Sequence, residues 1–166
     1  MLDRDGVLNR DVGYPHRPDQ IEWIPGVFAA VRRLNEAGYH VAVVTNQSGV
    51  ARGFFEEADV RALHAWMSET LLCQGARIDA YYYCPYHPEG TVGRYKTDHE
   101  DRKPRPGMLL RALADFSTAP NDAFMIGDRR TDLDAAAAAG VAGHLFAGDD
   151  LDRCVTRCLE LCRLPR

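Results

Sequence analysis

The chain lacks any apolar run approaching the roughly twenty residues that a membrane-spanning helix needs. It is charged by its third residue, so no secretory leader is legible. Charge of one sign is not in excess. The net value is −4 over 166 residues, which gives no footprint for nucleic acid or an anionic membrane surface. Repeats, low-complexity tracts and linkers are missing too. The five cysteines are odd in number and have no framework spacing, so reduced thiols in a cytoplasmic protein are expected. Cys154, Cys158 and Cys162 stand four apart. With Leu151, Val155 and Leu161 they read as one apolar helical stripe rather than a metal or redox face. Cys73, at the end of another helix, reads the same way. Only Cys84 lies in a context that suggests chemistry.

What remains is ordinary globular composition, 46% hydrophobic and 27% charged, enough for one domain spanning residues 1–166. Strand and helix patterns alternate. "GVFAAVRRLNEA" (26–37) has helical periodicity after Pro25 and before Gly38. "YHVAVVTN" (39–46) is a short β-branched strand. Residues 56–75 form an amphipathic helix with an acidic first turn, and "IDAYYYC" (78–84) is a strand. Residues 85–104 form a long polar loop, and Pro106 opens a helix over 106–116. "AFMIGD" (123–128), "RTDLDAAAAAG" and "VAGHLFA" continue as strand, helix, strand, and residues 150–163 as a last helix. The expected fold class is α/β: a Rossmann-like three-layer sandwich around a central parallel sheet, with functional groups beyond the carboxyl ends of its strands.

The reactive residue types fall at those ends. Asp3 and Asp5 stand two apart in "LDRDG", so on an extended strand end they share one side. Thr45 and Asp128 each follow a further apolar segment. Three carboxylates with water suit Mg²⁺, and the expected ligands are Asp3, Asp5 and Asp128. A carboxylate can attack phosphorus when cations offset the repulsion between anions. Lys103, between the long loop and a helix start, is the candidate ammonium, and Thr45 and the amides near Asn46 are candidates to hold phosphoryl oxygens. Asp132 taken alone reads equally well as a helix cap.

Four motifs in order, "LDRDGVLN" (2–9), "VVTNQSG" (43–49), "RKPRPGM" (102–108) and "IGDRRTDLDAA" (126–136), resemble those of the haloacid dehalogenase-like phosphatases. "GY" (13–14), "IPGV" (24–27) and "ARGFF" (51–55) narrow the resemblance to the heptose-bisphosphate and histidinol phosphatases. It implies a fold without a large cap domain, whose loops 10–23, 46–54 and 85–103 shape the site. Asp3 is implied as nucleophile and Asp5 as general acid and base. Asp3, Asp128 and the backbone carbonyl of Asp5 are implied as Mg²⁺ ligands, and Thr45 and Lys103 as phosphoryl binders. Asp132 would orient Lys103 or a metal-bound water, and Arg52 and Arg102 would meet a second phosphate. The expected reaction is removal of the 7-phosphate of D-glycero-D-manno-heptose 1,7-bisphosphate, a small phosphorylated metabolite, by a monomer. Histidinol-phosphate hydrolysis, a receiver-like phosphoacceptor and a degenerate binding protein are the competing readings.

Two departures from the family pattern stand out. Only Met1 and Leu2 precede Asp3 where an apolar strand is implied, so the native reading frame is expected to begin upstream. The loop that holds zinc in relatives reads "CPYHPEGTVGRYKTDHEDRKP" here. Cys84, His87, His99 and Asp101 could form a rearranged zinc site. The favoured expectation is a loop ordered by hydrogen bonds, without zinc.

Overall fold

In the computed structural model the backbone of residues 1–163 and the side chains of residues 1–161 are described. Four parallel strands form: β1 (Ala42–Asn46), β2 (Ala80–Cys84), β3 (Phe124–Gly127) and β4 (Ala142–Leu145). β1 pairs with β2, and β3 with β4. Met1–Asp3 joins the two pairs. Leu2 bridges in parallel to Val43 on one side and Ile126 on the other, and its N–H donates to the Ala42 carbonyl at 2.9 Å. The order across the sheet is therefore β2, β1, Met1–Asp3, β3, β4, with the shortest segment at the centre.

Five helices cover the sheet: α1 (Val27–Glu36), α2 (Glu57–Cys73), α3 (Gly107–Asp115), α4 (Arg130–Ala138) and α5 (Leu151–Arg163). Strand alternation assigns the layers. Val41, Val43, Phe124 and Ile126 face Val27, Leu63, Met67 and Val155 of α1, α2 and α5. Val44 and Met125 face Met108, Leu109 and Ala135 of α3 and α4. Both faces are buried, which is why the strands read as continuous apolar runs. No large cap is inserted among the described residues. This is the three-layer sandwich expected from the alternation.

Some expectations fail at the surface. Cys154 and Cys158 are buried beside Leu151 and Val155, but Leu161 is 59% exposed and falls outside the stripe. Cys73 is exposed, not core. It belongs to the last turn of α2, which runs past its own apolar face. The side chain of Cys162 lies outside the described residues.

A cavity of ≈ 600 Å³ opens at the amino ends of the strands between Met1, Ala42 and Phe124. The site residues lie at the opposite ends.

Candidate active site

Asp3 ends the central strand and is buried. Its Oδ1 accepts the Arg4 N–H at 2.7 Å and lies 2.9 Å from Lys103 Nζ. Lys103 is 3% exposed. Its ammonium also contacts Asp132 Oδ1 at 2.6 Å and donates to the Val44 carbonyl at 2.8 Å. These three acceptors leave it no rotamer freedom. Its backbone is pinned as well: Asn46 Oδ1 accepts the Lys103 N–H at 3.1 Å, and Asn46 Nδ2 donates to the Lys103 carbonyl at 3.0 Å. Asn46, expected near the phosphoryl group, holds Lys103 with its side chain and also lines the site cavity. Asp132 proves to be both things its position allowed. Oδ2 caps α4 by accepting the Arg129 N–H at 3.0 Å, while Oδ1 holds Lys103.

Asp3, Asp128 and Asp132 offer carboxylate oxygens within 4.8 Å of one another. Burial pushes Asp3 up to about 7 against the pull of Lys103, with Asp132 adding to the rise. Asp128 is raised by burial first and by Asp132 second. Its Oδ1 is buried without a hydrogen-bond partner. Three carboxylates thus share one ammonium and a looser 3.8 Å contact from Arg129. This set of hard oxygen donors fits a Mg²⁺ ion, which would neutralise it. Gly6 makes the close approach possible: at φ +89° its missing Cβ would stand 2.2 Å from Asp128 Oδ2.

The Asp5 carboxylate is not part of that cluster, a correction to its expected place among the side-chain ligands. Arg4 Nε donates to its Oδ1 at 3.1 Å and Arg4 NH2 to its Oδ2 at 3.0 Å. Asn9 Nδ2 adds a bond to Oδ1 at 2.9 Å, and Gln47 Nε2 one to Oδ2 at 3.1 Å. Gln47 Nε2 also donates to Thr45 Oγ1 at 2.9 Å, which turns the Thr45 hydroxyl hydrogen toward other acceptors.

Asp3, Asp5, Thr45, Arg102 and Lys103 line one cavity of ≈ 280 Å³. Arg102 is half-buried, and its guanidinium donates to the Tyr86 carbonyl at 3.3 Å. Desolvation lowers its pKa, and nearby Arg52 lowers it further. Arg52 stands against His87, 3.3 Å from Nε2, and its Nε is buried without a partner. Arg4, Gln47, Tyr14 and Arg129 are site residues that the sequence reading missed. All four sit inside the quoted motifs, Arg4 in "LDRDGVLN", Tyr14 in "GY", Gln47 in "VVTNQSG" and Arg129 in "IGDRRTDLDAA", so position in a motif was the signal that could have found them.

Cys84, His87, His99 and Asp101 do not converge. Among the described residues the aspartate trio is the one group of three metal-ligating side chains. Burial pushes the Cys84 thiol up to about 11. His99 stacks on Tyr86 at 4.2 Å and accepts the Asp101 N–H at 3.1 Å. The Asp101 carboxylate takes Arg111 at 3.0 Å, and His87 Nδ1 takes the Glu89 N–H at 3.1 Å.

A family model described as HAD-hyrolase-like matches residues 101–154. The chain is 50% identical over 92% of its length to a D-glycero-beta-D-manno-heptose-1,7-bisphosphate 7-phosphatase of Rhodopseudomonas palustris, covering 84% of that protein. It is 40% identical over its whole length to the D-glycero-alpha-D-manno-heptose-1,7-bisphosphate 7-phosphatase of Burkholderia mallei, covering 88% of it. Among solved structures, the D,D-heptose 1,7-bisphosphate phosphatase of B. bronchiseptica, complexed with magnesium and phosphate, superposes with a TM-score of 0.80 at 32% identity. That match covers 96% of this chain and 97% of the other. Identity of this extent over nearly the whole chain, on a closely superposing fold, means that the chain belongs to the heptose-1,7-bisphosphate 7-phosphatase family of haloacid dehalogenase-like hydrolases.

Proposed function

We propose that the chain is a Mg²⁺-dependent phosphatase that removes the 7-phosphate of D-glycero-D-manno-heptose 1,7-bisphosphate through an aspartyl-phosphate. One observation carries this reading. A carboxylate is fixed at Oδ1 by Lys103 and the Arg4 amide, in a cavity whose wall holds a second carboxylate. With Oδ1 held, Oδ2 of Asp3 is the oxygen that attacks phosphorus. The bond from phosphorus to the sugar oxygen breaks, and Asp5 gives that oxygen its proton. Asp5 then takes a proton from the water that cleaves the aspartyl-phosphate. The Thr45 hydroxyl and the Lys103 ammonium hold the transferring phosphoryl group. Asp3, Asp128 and the Asp5 carbonyl would hold Mg²⁺, with Asp132 keeping Lys103 in line. When bound, the ion neutralises the carboxylates and the developing phosphoryl charge. Arg102, with Arg52 behind it, supports binding of the 1-phosphate. A carboxylate already at the cavity wall favours turnover over the stable phosphoacceptor.

Phosphate release at saturating Mg²⁺, measured with the β and α anomers of heptose 1,7-bisphosphate and with histidinol phosphate, tests the proposal. A kcat/KM for a heptose bisphosphate far above that for histidinol phosphate is expected. The reverse order, or no release from either sugar, would overturn it.

A further inference from the structure

The second aspartate of the motif is held by a residue to which the sequence reading gave no role. Arg4 is fully buried, at 0% exposure. Its guanidinium presents Nε and NH2 to the two oxygens of Asp5 at 3.1 and 3.0 Å, the parallel fork that fixes the plane of a carboxylate. The rest of the guanidinium is braced. NH2 is shared with the Pro15 carbonyl at 2.8 Å and Gln47 Oε1 at 3.1 Å, and NH1 lies 3.3 Å from Nε2 of His64. Arginine has only donors, so Nε2 is the accepting nitrogen and His64 is the neutral Nδ1–H tautomer. His64 is itself held, buried on α2 with its ring stacked on Tyr81 of β2 at 4.4 Å and 18°. The chain of contacts runs from the α2–β2 packing through His64 and Arg4 to Asp5, whose side chain is 19% exposed, toward the cavity.

We propose that Arg4, braced by His64, is a positioning residue that sets the orientation from which Asp5 serves the leaving oxygen. The inference rests on the reading of Asp5 as general acid given above. A fork behind the carboxylate restricts its rotation and leaves its cavity edge aimed at the substrate. Lysine in place of Arg4 keeps the charge and loses the plane.

The test separates positioning from folding by varying the leaving group. A sugar alkoxide needs a proton to depart, whereas p-nitrophenolate does not. Because kcat/KM reports steps up to phosphoryl transfer to Asp3, the ratio of kcat/KM for heptose 1,7-bisphosphate to that for p-nitrophenyl phosphate reads the acid alone. Asp5→Asn should lower this ratio on the order of 100-fold, at the low end of what a general acid contributes. Arg4→Lys should lower it about 10-fold or more in the same direction, from the misplacement of that group. Should Arg4→Lys not fold, His64→Phe tests the brace without touching residue 4. It should lower the ratio, and His64→Gln, which restores an acceptor, should recover it. An unchanged ratio in Arg4→Lys while Asp5→Asn lowers it overturns the positioning role and leaves the acid standing. An unchanged ratio in Asp5→Asn removes the acid and the positioning role together. An unchanged ratio in His64→Phe overturns the brace.

Discussion

At the scale of single residues, the site is a charge imbalance held in place by one lysine. Lys103 touches Asp3 and Asp132, while Asp128 carries a buried oxygen without a hydrogen-bond partner. Without a divalent cation such a set works against folding, because burial and neighbouring carboxylates both raise the cost of ionising Asp3 and Asp128. Function and stability therefore pull in opposite directions. In chelator, Asp128→Asn should raise the midpoint of thermal unfolding by about 2–4 °C, the shift that about 1 kcal/mol produces in a chain of this size. The same variant should lose its response to Mg²⁺. A lower midpoint in chelator would show that Asp128 is paired more favourably than its surroundings indicate. Asp3→Asn removes the proposed nucleophile with little change in shape. Phosphate release from heptose 1,7-bisphosphate should fall by ~10⁴-fold or more, with the folded far-UV spectrum retained. Near-normal turnover would remove Asp3 from the chemistry.

At the scale of elements, the central segment Met1–Asp3 is the shortest of the sheet. Met1–Asp3 uses the even-numbered carbonyls and amides of its two neighbours: Leu2 N–H to Ala42, Val44 N–H to Leu2, Ile126 N–H to Met1, and Asp3 N–H to Ile126. One step earlier the alternation aims the N–H groups of Ala42 and Phe124 into the ≈ 600 Å³ groove beyond Met1. The Met1 ammonium donates to the Phe124 carbonyl at 2.8 Å, and burial lowers its pKa from 8.0 to about 5. Three or four β-branched residues placed ahead of Met1 would continue the parallel ladder and fill the groove. The gain, about 2 kcal/mol after the entropy of ordering, should raise the unfolding midpoint by roughly 4–8 °C. The sign with pH follows from the ammonium. Its folded pKa is depressed, so the unfolded chain binds the extra proton between about 5 and 8. The penalty is absent above pH 8 and grows as pH falls toward 5. The stabilisation by the added residues should therefore be larger at pH 6 than at pH 9. An extended chain with no gain at either pH would contradict this account. The long loop is fastened in a different way. Tyr83 and Tyr95 donate to the two oxygens of Glu57 on α2, at 2.7 and 2.6 Å, and the Ala51 carbonyl accepts both Thr91 and Val92.

At the scale of the whole molecule, helices on both faces hold five short parallel segments so that every reactive side chain emerges at one end of the sheet. The chain has a net charge of −4, and its proposed substrate is a bis-anion or more, so cations must be supplied locally. Lys103, Arg102 and Arg52 supply part of this, and the aspartate trio needs a hard divalent ion for the rest. Exhaustive chelation should abolish phosphate release, and Mg²⁺ alone should restore it. The loop residues at the positions of the zinc ligands have partners within the protein, so elemental analysis should find well under one equivalent of zinc. Activity that survives chelation, or stoichiometric zinc in the purified protein, would contradict the two halves of this prediction in turn.

The sequence by itself determined the order of strands and helices, the parallel sheet, and the strand-end placement of Asp3, Asp5, Thr45 and Asp128. These follow from periodicity and from reactive residues standing directly after apolar runs, both of which are local properties of the chain. Lys103 was legible for a related reason: it is one of two lysines in the chain, and it stands just ahead of a helix start. Only the tertiary structure decided which partners those residues keep. Arg4 has no role assigned by the motif until the structure closes His64, sixty positions away, and Gln47 around it. Asp132 taken alone reads as a cap, the resemblance makes it the group that orients Lys103, and the structure shows both contacts. Asn46 holds the backbone of Lys103, fifty-seven positions on, and Cys73 and Leu161 prove to lie outside the core although their helices are amphipathic. The cause is the same in each case. Periodicity specifies which face of an element is buried, but the identity of a buried charge's partner depends on how separate elements pack, and no local pattern encodes that distance.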